Sequence, residues 1–387
     1  MLTAPAHLVP TLRQLVAIGP HAGAHRVALR LALSTTVPLL VLWHLGRVDL
    51  VPYAFLPATA AVFGRNAPGR RKVVMQAQVS SVLIGLVVVG AVCAAFGVPV
   101  GMIVVMTAVV AGACSVTGDL LGWSPAGSLF FVFAFVASAS APVSLSTLPL
   151  IAATCTVVGF GTMAITASGL VPAVVRPPQR RTAVKIGRDM TDPVLPRRIA
   201  FVHGVGSAVA VGVAGAITWA DGSQHPYWAM VSAIVPIAGG STAGQLTRAT
   251  HRIAGTVAGL AVTAVVLTVA TTPLAMIIAL VLCVTVAELL IARNYALATL
   301  FVTPATIGML TLNHPQPLVP LLAARVSETC IGVAVAFVVV IATHAVRHPQ
   351  AQTNETTALA WRRPQTTHAP TEDGMEGFRS RSSSPGK

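Results

Sequence analysis

Long apolar runs, interrupted at intervals by proline, glycine or arginine, dominate this chain. A hydrocarbon core about 30 Å thick needs about 20 apolar residues per helix. The runs predict membrane-crossing helices over 27–45, 50–63, 79–96, 98–116, 126–140 and 148–170, and again over 199–219, 226–240, 253–270, 273–291, 295–311 and 321–345. The expected fold is all-α: a polytopic bundle of about twelve transmembrane helices in two six-helix blocks. These would span 25–170 and 199–346, with an N-terminal cytoplasmic segment (1–24), a basic linker (171–198) and a disordered tail (347–387), where Pro, Ser, Thr and charge take over.

The two blocks resemble each other. At an offset of 174, Pro52 matches Pro226, Tyr53 Tyr227, Gly85 Gly259, Pro99 Pro273 and Met102 Met276; at 171, Leu129 matches Leu300, Phe130 Phe301, Pro149 Pro320 and Gly161 Gly332. Because six spans separate equivalent helices, the halves are expected to share one orientation, related by an axis along the membrane normal.

Composition agrees with a lipid solvent. Only 9% of the 387 residues are charged and 55% are hydrophobic, with a mean hydropathy of +0.78; soluble domains are about 25% charged. The formal charge of +14 does not imply nucleic acid, since the basic residues lie between apolar runs instead of on one soluble surface. Counted from a cytoplasmic N-terminus, Arg13, Arg26, Arg65, Arg70, Arg71, Lys72, the run from Arg176 to Arg198, Arg248, Arg252, Arg293 and the residues from Arg347 fall on one side, leaving Arg47 and Arg325 outside. Basic loops stay in the cytoplasm, so a multi-pass protein of the inner (plasma) membrane with both termini inside is expected. The first twenty residues lack the pattern of a cleaved signal peptide. Cys93, Cys114, Cys155, Cys283 and Cys330 lie in apolar runs without CxxC spacing and read as small packing residues.

The chemistry concentrates in a few places. The second span of each block is short and broken by proline: 51–63 with Pro52 and Pro57, and 225–240 with Pro226 and Pro236. Such paired interrupted segments mark transport sites, where freed backbone faces substrate; alternatively Tyr53, Tyr227 and Trp228 are aromatics of the interfacial belt. RIAGTVAG carries Arg252, Thr256 and the GxxxG pair Gly255 and Gly259, which favours close helix packing. Arg252, at the inner mouth, either attracts anions or anchors at the interface. Arg325 and Glu328 share one helix face, close enough to pair. Glu288 and Glu328 are candidates for proton coupling, the alternatives being a structural pair for Glu328 and an interfacial contact to Arg293 for Glu288. Asp119 is expected in an inner loop. GRNAPGR, residues 64–70, lacks the Gly-Lys-Ser/Thr ending of a phosphate loop. The pairs His21 with His25 and His344 with His348 lack HExxH and read as interfacial. No catalytic residue, metal site or cofactor is expected, and no enzyme.

The PYW at 226–228, RxxGTxxG at 252–259 and RxxETxxG at 325–332, in that order and spacing, resemble the FUSC group, the fusaric acid resistance proteins and aromatic acid exporter-like membrane proteins, with the plant aluminium-activated malate transporters more distant. The resemblance is best over residues 197–345. It implies export of small organic, typically aromatic, carboxylates, with the family's arginine on Arg252, its Gly-Thr on Gly255 and Thr256, and its late arginine and acid on Arg325 and Glu328. The first block departs from this: Gln78 and Ser81 stand at the places of Arg252 and Gly255, and Thr154 and Val157 at those of Arg325 and Glu328. The expected partners are an organic anion and the bilayer, with a homo-oligomer or an envelope partner open. A non-transporting scaffold and a passive anion channel are the other readings.

Overall fold

The computed structural model describes residues 15–21, 23–65, 67, 69–168, 197–223, 225–238, 242–312 and 317–347. The charged tail, most of the basic linker and His348 lie outside them. Among the described residues the chain is all-helical, without strands. Its α-helices are α1 (Ala24–His44), α2 (Val51–Ala58), α3 (Gly69–Ala95), α4 (Val100–Leu121), α5 (Leu129–Ala139), α6 (Leu148–Ala167), α7 (Arg197–Ala220), α8 (Tyr227–Ile237), α9 (Thr242–Val269), α10 (Pro273–Leu290), α11 (Tyr295–Thr311) and α12 (Leu318–Arg347).

Eight of these are long and apolar enough to cross a membrane; α2 with its 3₁₀ continuation, α5, α8 and α11 are shorter. At about 1.5 Å per residue, the 11 residues of α8 rise about 16 Å, half of the hydrocarbon thickness. In a bilayer a helix this short would leave its terminal backbone groups without a partner in lipid, so protein must surround it. Every residue of α8 is buried, as is all of α2 except Pro52 and all of the 3₁₀ turn Thr59–Val62. The long helices instead expose apolar side chains such as Val109, Phe160, Phe201 and Leu282.

Side chains satisfy the ends of the broken helices. Gln76 of α3 donates to the Phe63 carbonyl (3.1 Å), and Gln245 of α9 donates to the Ile237 carbonyl at the end of α8 (2.9 Å). Pro57 cannot bond the Tyr53 carbonyl four residues earlier; the Cys155 thiol donates to it instead, at 3.3 Å. That thiol therefore does more than fill space.

Two helices start earlier than hydropathy predicts, α3 at Gly69 and α9 at Thr242. Their first turns, GRRKVVMQ and TAGQLTRATHR, carry more polar residues than the spans they precede but no proline, and Gln76 and Gln245 are drawn inward to the short helices. Across the bundle α3 packs on α5 and α9 on α11, while α4 packs on α7 and α10 on α1. Gly255 and Gly259 make the α9 contact possible: a Cβ on Gly255 would stand 2.7 Å from Thr299 Cβ, and one on Gly259 2.9 Å from Thr303 Cβ. This is the close approach GxxxG predicts.

Candidate functional site

The interior of the bundle holds a space of about 120 Å³ to which both blocks contribute. Its walls are largely apolar and aromatic: Phe55 from α2, Phe130 and Phe133 from α5, Trp228 from α8, and Tyr295 from α11. Set among them are Arg252 of α9, Arg325 of α12 and Glu288 of α10. Trp228 is 1% exposed, Arg252 2% and Arg325 0%. A guanidinium at such depth is costly unless something opposes its charge.

The Arg325 guanidinium lies over the Trp228 ring, 3.8 Å from its centroid, an attraction to the ring's negative face. The ring in turn stacks near Phe133, at 6.5 Å, and touches Tyr227, at 4.8 Å. None of the three Arg325 nitrogens Nε, Nη1 and Nη2 has a hydrogen-bond partner among the described residues, nor do Arg252 Nε and Trp228 Nε1. Arg252 Nη2 makes one long contact, 3.5 Å to Ser232 Oγ, and Arg252 stands close enough to Arg325 for the two to repel. Buried donors on cations, clustered against aromatic faces, have the chemistry to receive a planar anion.

The sequence-derived candidates divide among three places. Trp228, Arg252 and Arg325 meet at the central space. Arg252, expected at the inner mouth, and Arg325, expected at the outer opening of the twelfth span, are both fully buried there. Tyr53 and Tyr227 line a separate cavity of about 510 Å³ with Asp49, Ser138 and Pro142. Both tyrosines are buried, 5% and 7% exposed, so they are not lipid-facing belt aromatics. Glu328 belongs to a third recess of about 360 Å³, with Thr218, Asp221 and Ser223. It accepts a hydrogen bond from the Ser223 hydroxyl and forms no ion pair within 4 Å of Arg325. The expected pairing on one helix face is absent because Arg325 turns to Trp228 and Glu328 to the loop before α8. Thr256 is buried beside the glycine contact and lines none of these spaces.

Glu288 is paired, but not with Arg293. Its carboxylate accepts from Arg65 of the first block, with Arg30 of α1 within electrostatic reach, whereas Arg293 Nε donates to the Gly19 carbonyl, 3.3 Å away. Arg65 was visible only as one of a basic cluster; no local spacing could join it to a residue 223 positions away. Asp119 is not in a loop: it ends α4, buried, against His203 of α7. His21 and His25 touch each other at 2.9 Å, exposed, and no group of three metal-ligating side chains occurs among the described residues.

The first-block counterparts do not line the central space. Gln78 accepts from Trp123 Nε1 at 3.0 Å, and Val157 is exposed. At the far end of α1, Arg47 donates to Asp49 through Nε (2.9 Å) and Nη2 (2.7 Å), and this hydrogen-bonded guanidinium holds the Asp49 carboxyl below the usual carboxylate range.

No curated protein and no solved structure matches the chain significantly. Residues 209–339, which supply Tyr227, Trp228, Arg252, Arg325 and Glu328, match the family model described as fusaric acid resistance protein-like. Residues 209–339 are thus similar to a fusaric acid resistance protein-like domain, and that likeness within an apolar helical bundle is the character of a membrane transporter-like protein.

Proposed function

We propose that this protein moves small aromatic carboxylates out of the cell across the inner membrane, through the central space, without hydrolysing ATP and without acting as an enzyme. One observation carries the reading: two buried guanidinia with unpartnered donors stand against a wall of Phe, Trp and Tyr. A carboxylate matches the planar fork of a guanidinium, and an aromatic ring matches the apolar wall. The basic residues of the loops at one end would concentrate anions there, which supports that end as cytoplasmic, with both termini inside.

The reading includes two tandem six-helix halves in parallel orientation, with the four short helices completing twelve passes. Reciprocal packing supports it: α4 lies on α7 as α10 lies on α1, and Gln76 holds the end of one broken helix as Gln245 holds the other. A homo-oligomer is compatible with the reading but not required by it.

The test is movement of labelled 4-hydroxybenzoate by purified protein in proteoliposomes, with protein-free vesicles as background. Saturable exchange that falls at least tenfold in both Arg325→Ala and Arg252→Ala is expected, since tenfold corresponds to about 1.4 kcal/mol. Current that follows voltage without saturation would make the protein a channel, and no flux at normal protein levels would make it a scaffold.

A further inference from the structure

The second seam between the blocks holds a pair that the anion pathway leaves unused. His203 of α7 is buried, with Nδ1 2.6 Å from Asp119 Oδ2 of α4 and Nε2 3.0 Å from the Ile237 carbonyl, the last residue of α8. Both neighbours are hydrogen-bond acceptors whenever Asp119 is ionised. A neutral imidazole has one N–H and one lone pair, so it can satisfy one of them only. To make both contacts the pair must hold one more proton, either as imidazolium with carboxylate or as neutral imidazole with a carboxylic acid.

The geometry points to His203 and Asp119 as a proton-binding site whose occupancy sets the position of α8. Uptake of one proton takes the pair from one net negative charge to none and fastens α7 to α4 and α8 together. Release leaves a lone pair facing an acceptor, and one of the two fastenings must open. Gln245 still holds the Ile237 carbonyl, but α8 is a single buried helix of 11 residues, and its other end carries Trp228 beneath Arg325. A shift at Ile237 therefore reaches the anion site through one rigid element.

The opposite seam shows the contrast. Glu288 stands two residues before the end of α10 and Asp119 two before the end of α4; Arg30 lies six residues into α1 and His203 six into α7. At that seam Glu288 meets the guanidinium groups of Arg65 and Arg30, whereas at the His203 seam the acid faces an imidazole, whose ring nitrogens can be donor or acceptor. Around His203, α8 presents a carbonyl and α9 the Gln245 amide, α12 presents Val339 and Thr343 to nearby Gly206, and Asp119 is the acidic side chain in contact with it among the described residues. Glu288 and Glu328, the acids the sequence nominates for coupling, are occupied by Arg65 and Ser223.

The inference rests on the transport reading for its readout. Exchange of 4-hydroxybenzoate is measured with equal pH on both faces, between about pH 5.5 and about pH 8.5. Wild-type exchange should change at least threefold over this range. His203→Gln and Asp119→Asn should exchange at rates that no longer follow pH, and His44→Gln, at an exposed helix end, should keep the wild-type profile. Should His203→Gln not accumulate, Asp119→Asn carries the test, since Asn retains an acceptor for Nδ1–H. Flat wild-type exchange, or variants that retain the wild-type profile, would overturn the proton site while leaving transport intact. Absence of exchange at any pH defeats the transport reading instead; the proton site is then read from tryptophan fluorescence against pH, which must change in wild type and not in His203→Gln.

Discussion

Arg325 carries the sharpest expectation at the scale of single residues. Its charge is opposed by the Trp228 ring at 3.8 Å, and a desolvated cation over an aromatic face gains about 2 kcal/mol. Trp228→Leu should therefore weaken the protein as well as the site: a lower melting temperature in detergent and a several-fold loss of 4-hydroxybenzoate affinity. Arg325→Lys, which keeps the charge but not the planar fork, should bind the same anion at least tenfold more weakly while folding normally. Equal binding by the lysine variant would show that charge alone suffices. The exposed pair of Arg47 and Asp49 is a contrast. Asp49 is held below its usual range, so its small contribution is present near neutrality and lost as pH falls, and solvent screens an exposed pair of this kind. Arg47→Ala should leave the melting temperature nearly unchanged.

Among elements, the broken helices matter most. Replacing Gln245 by Leu leaves the Ile237 carbonyl to His203 alone, and replacing Gln76 leaves that of Phe63 without its amide. An unsatisfied buried group costs about 1–3 kcal/mol, so Gln76→Leu should destabilise more than Gln245→Leu, as thermal unfolding in detergent would measure. Gly255→Val and Gly259→Val should separate α9 from α11, because the nearest atoms to a Cβ there include the Ala296 and Leu300 carbonyls, which cannot rotate away. Helices α2 and α8 were legible in the sequence as short and broken because Pro52, Pro57, Pro226 and Pro236 punctuate them. Their burial was not, since hydropathy cannot tell an apolar segment facing lipid from one facing protein.

For the whole molecule, the two blocks are joined by charge as well as by packing. Glu288→Gln leaves Arg65 and Arg30 unopposed at a partly buried seam, and breaking one partner of such a pair costs more than replacing both. The double variant Arg65→Gln with Glu288→Gln should accordingly melt higher than Glu288→Gln alone; if it melts lower, the pair is not coupled. Cysteines placed at Asp49 and at Arg70 should react with an impermeant maleimide from opposite faces of sealed vesicles, which tests the orientation that the basic loops imply.

What the sequence determined by itself is whatever depends on local pattern: helical class, lipid as solvent, the interrupted spans and the glycine contact of α9. Apolar period, proline and GxxxG act within a few residues of each other, so one chain read in order suffices for them. The tertiary structure decided which charges meet. Arg325 turned from Glu328 three positions away to Trp228, Glu288 from Arg293 to Arg65, and Asp119 from an expected loop to His203, 84 positions distant. Burial removes water as the competing partner, and a buried charge then takes whatever group the packing of distant helices places beside it.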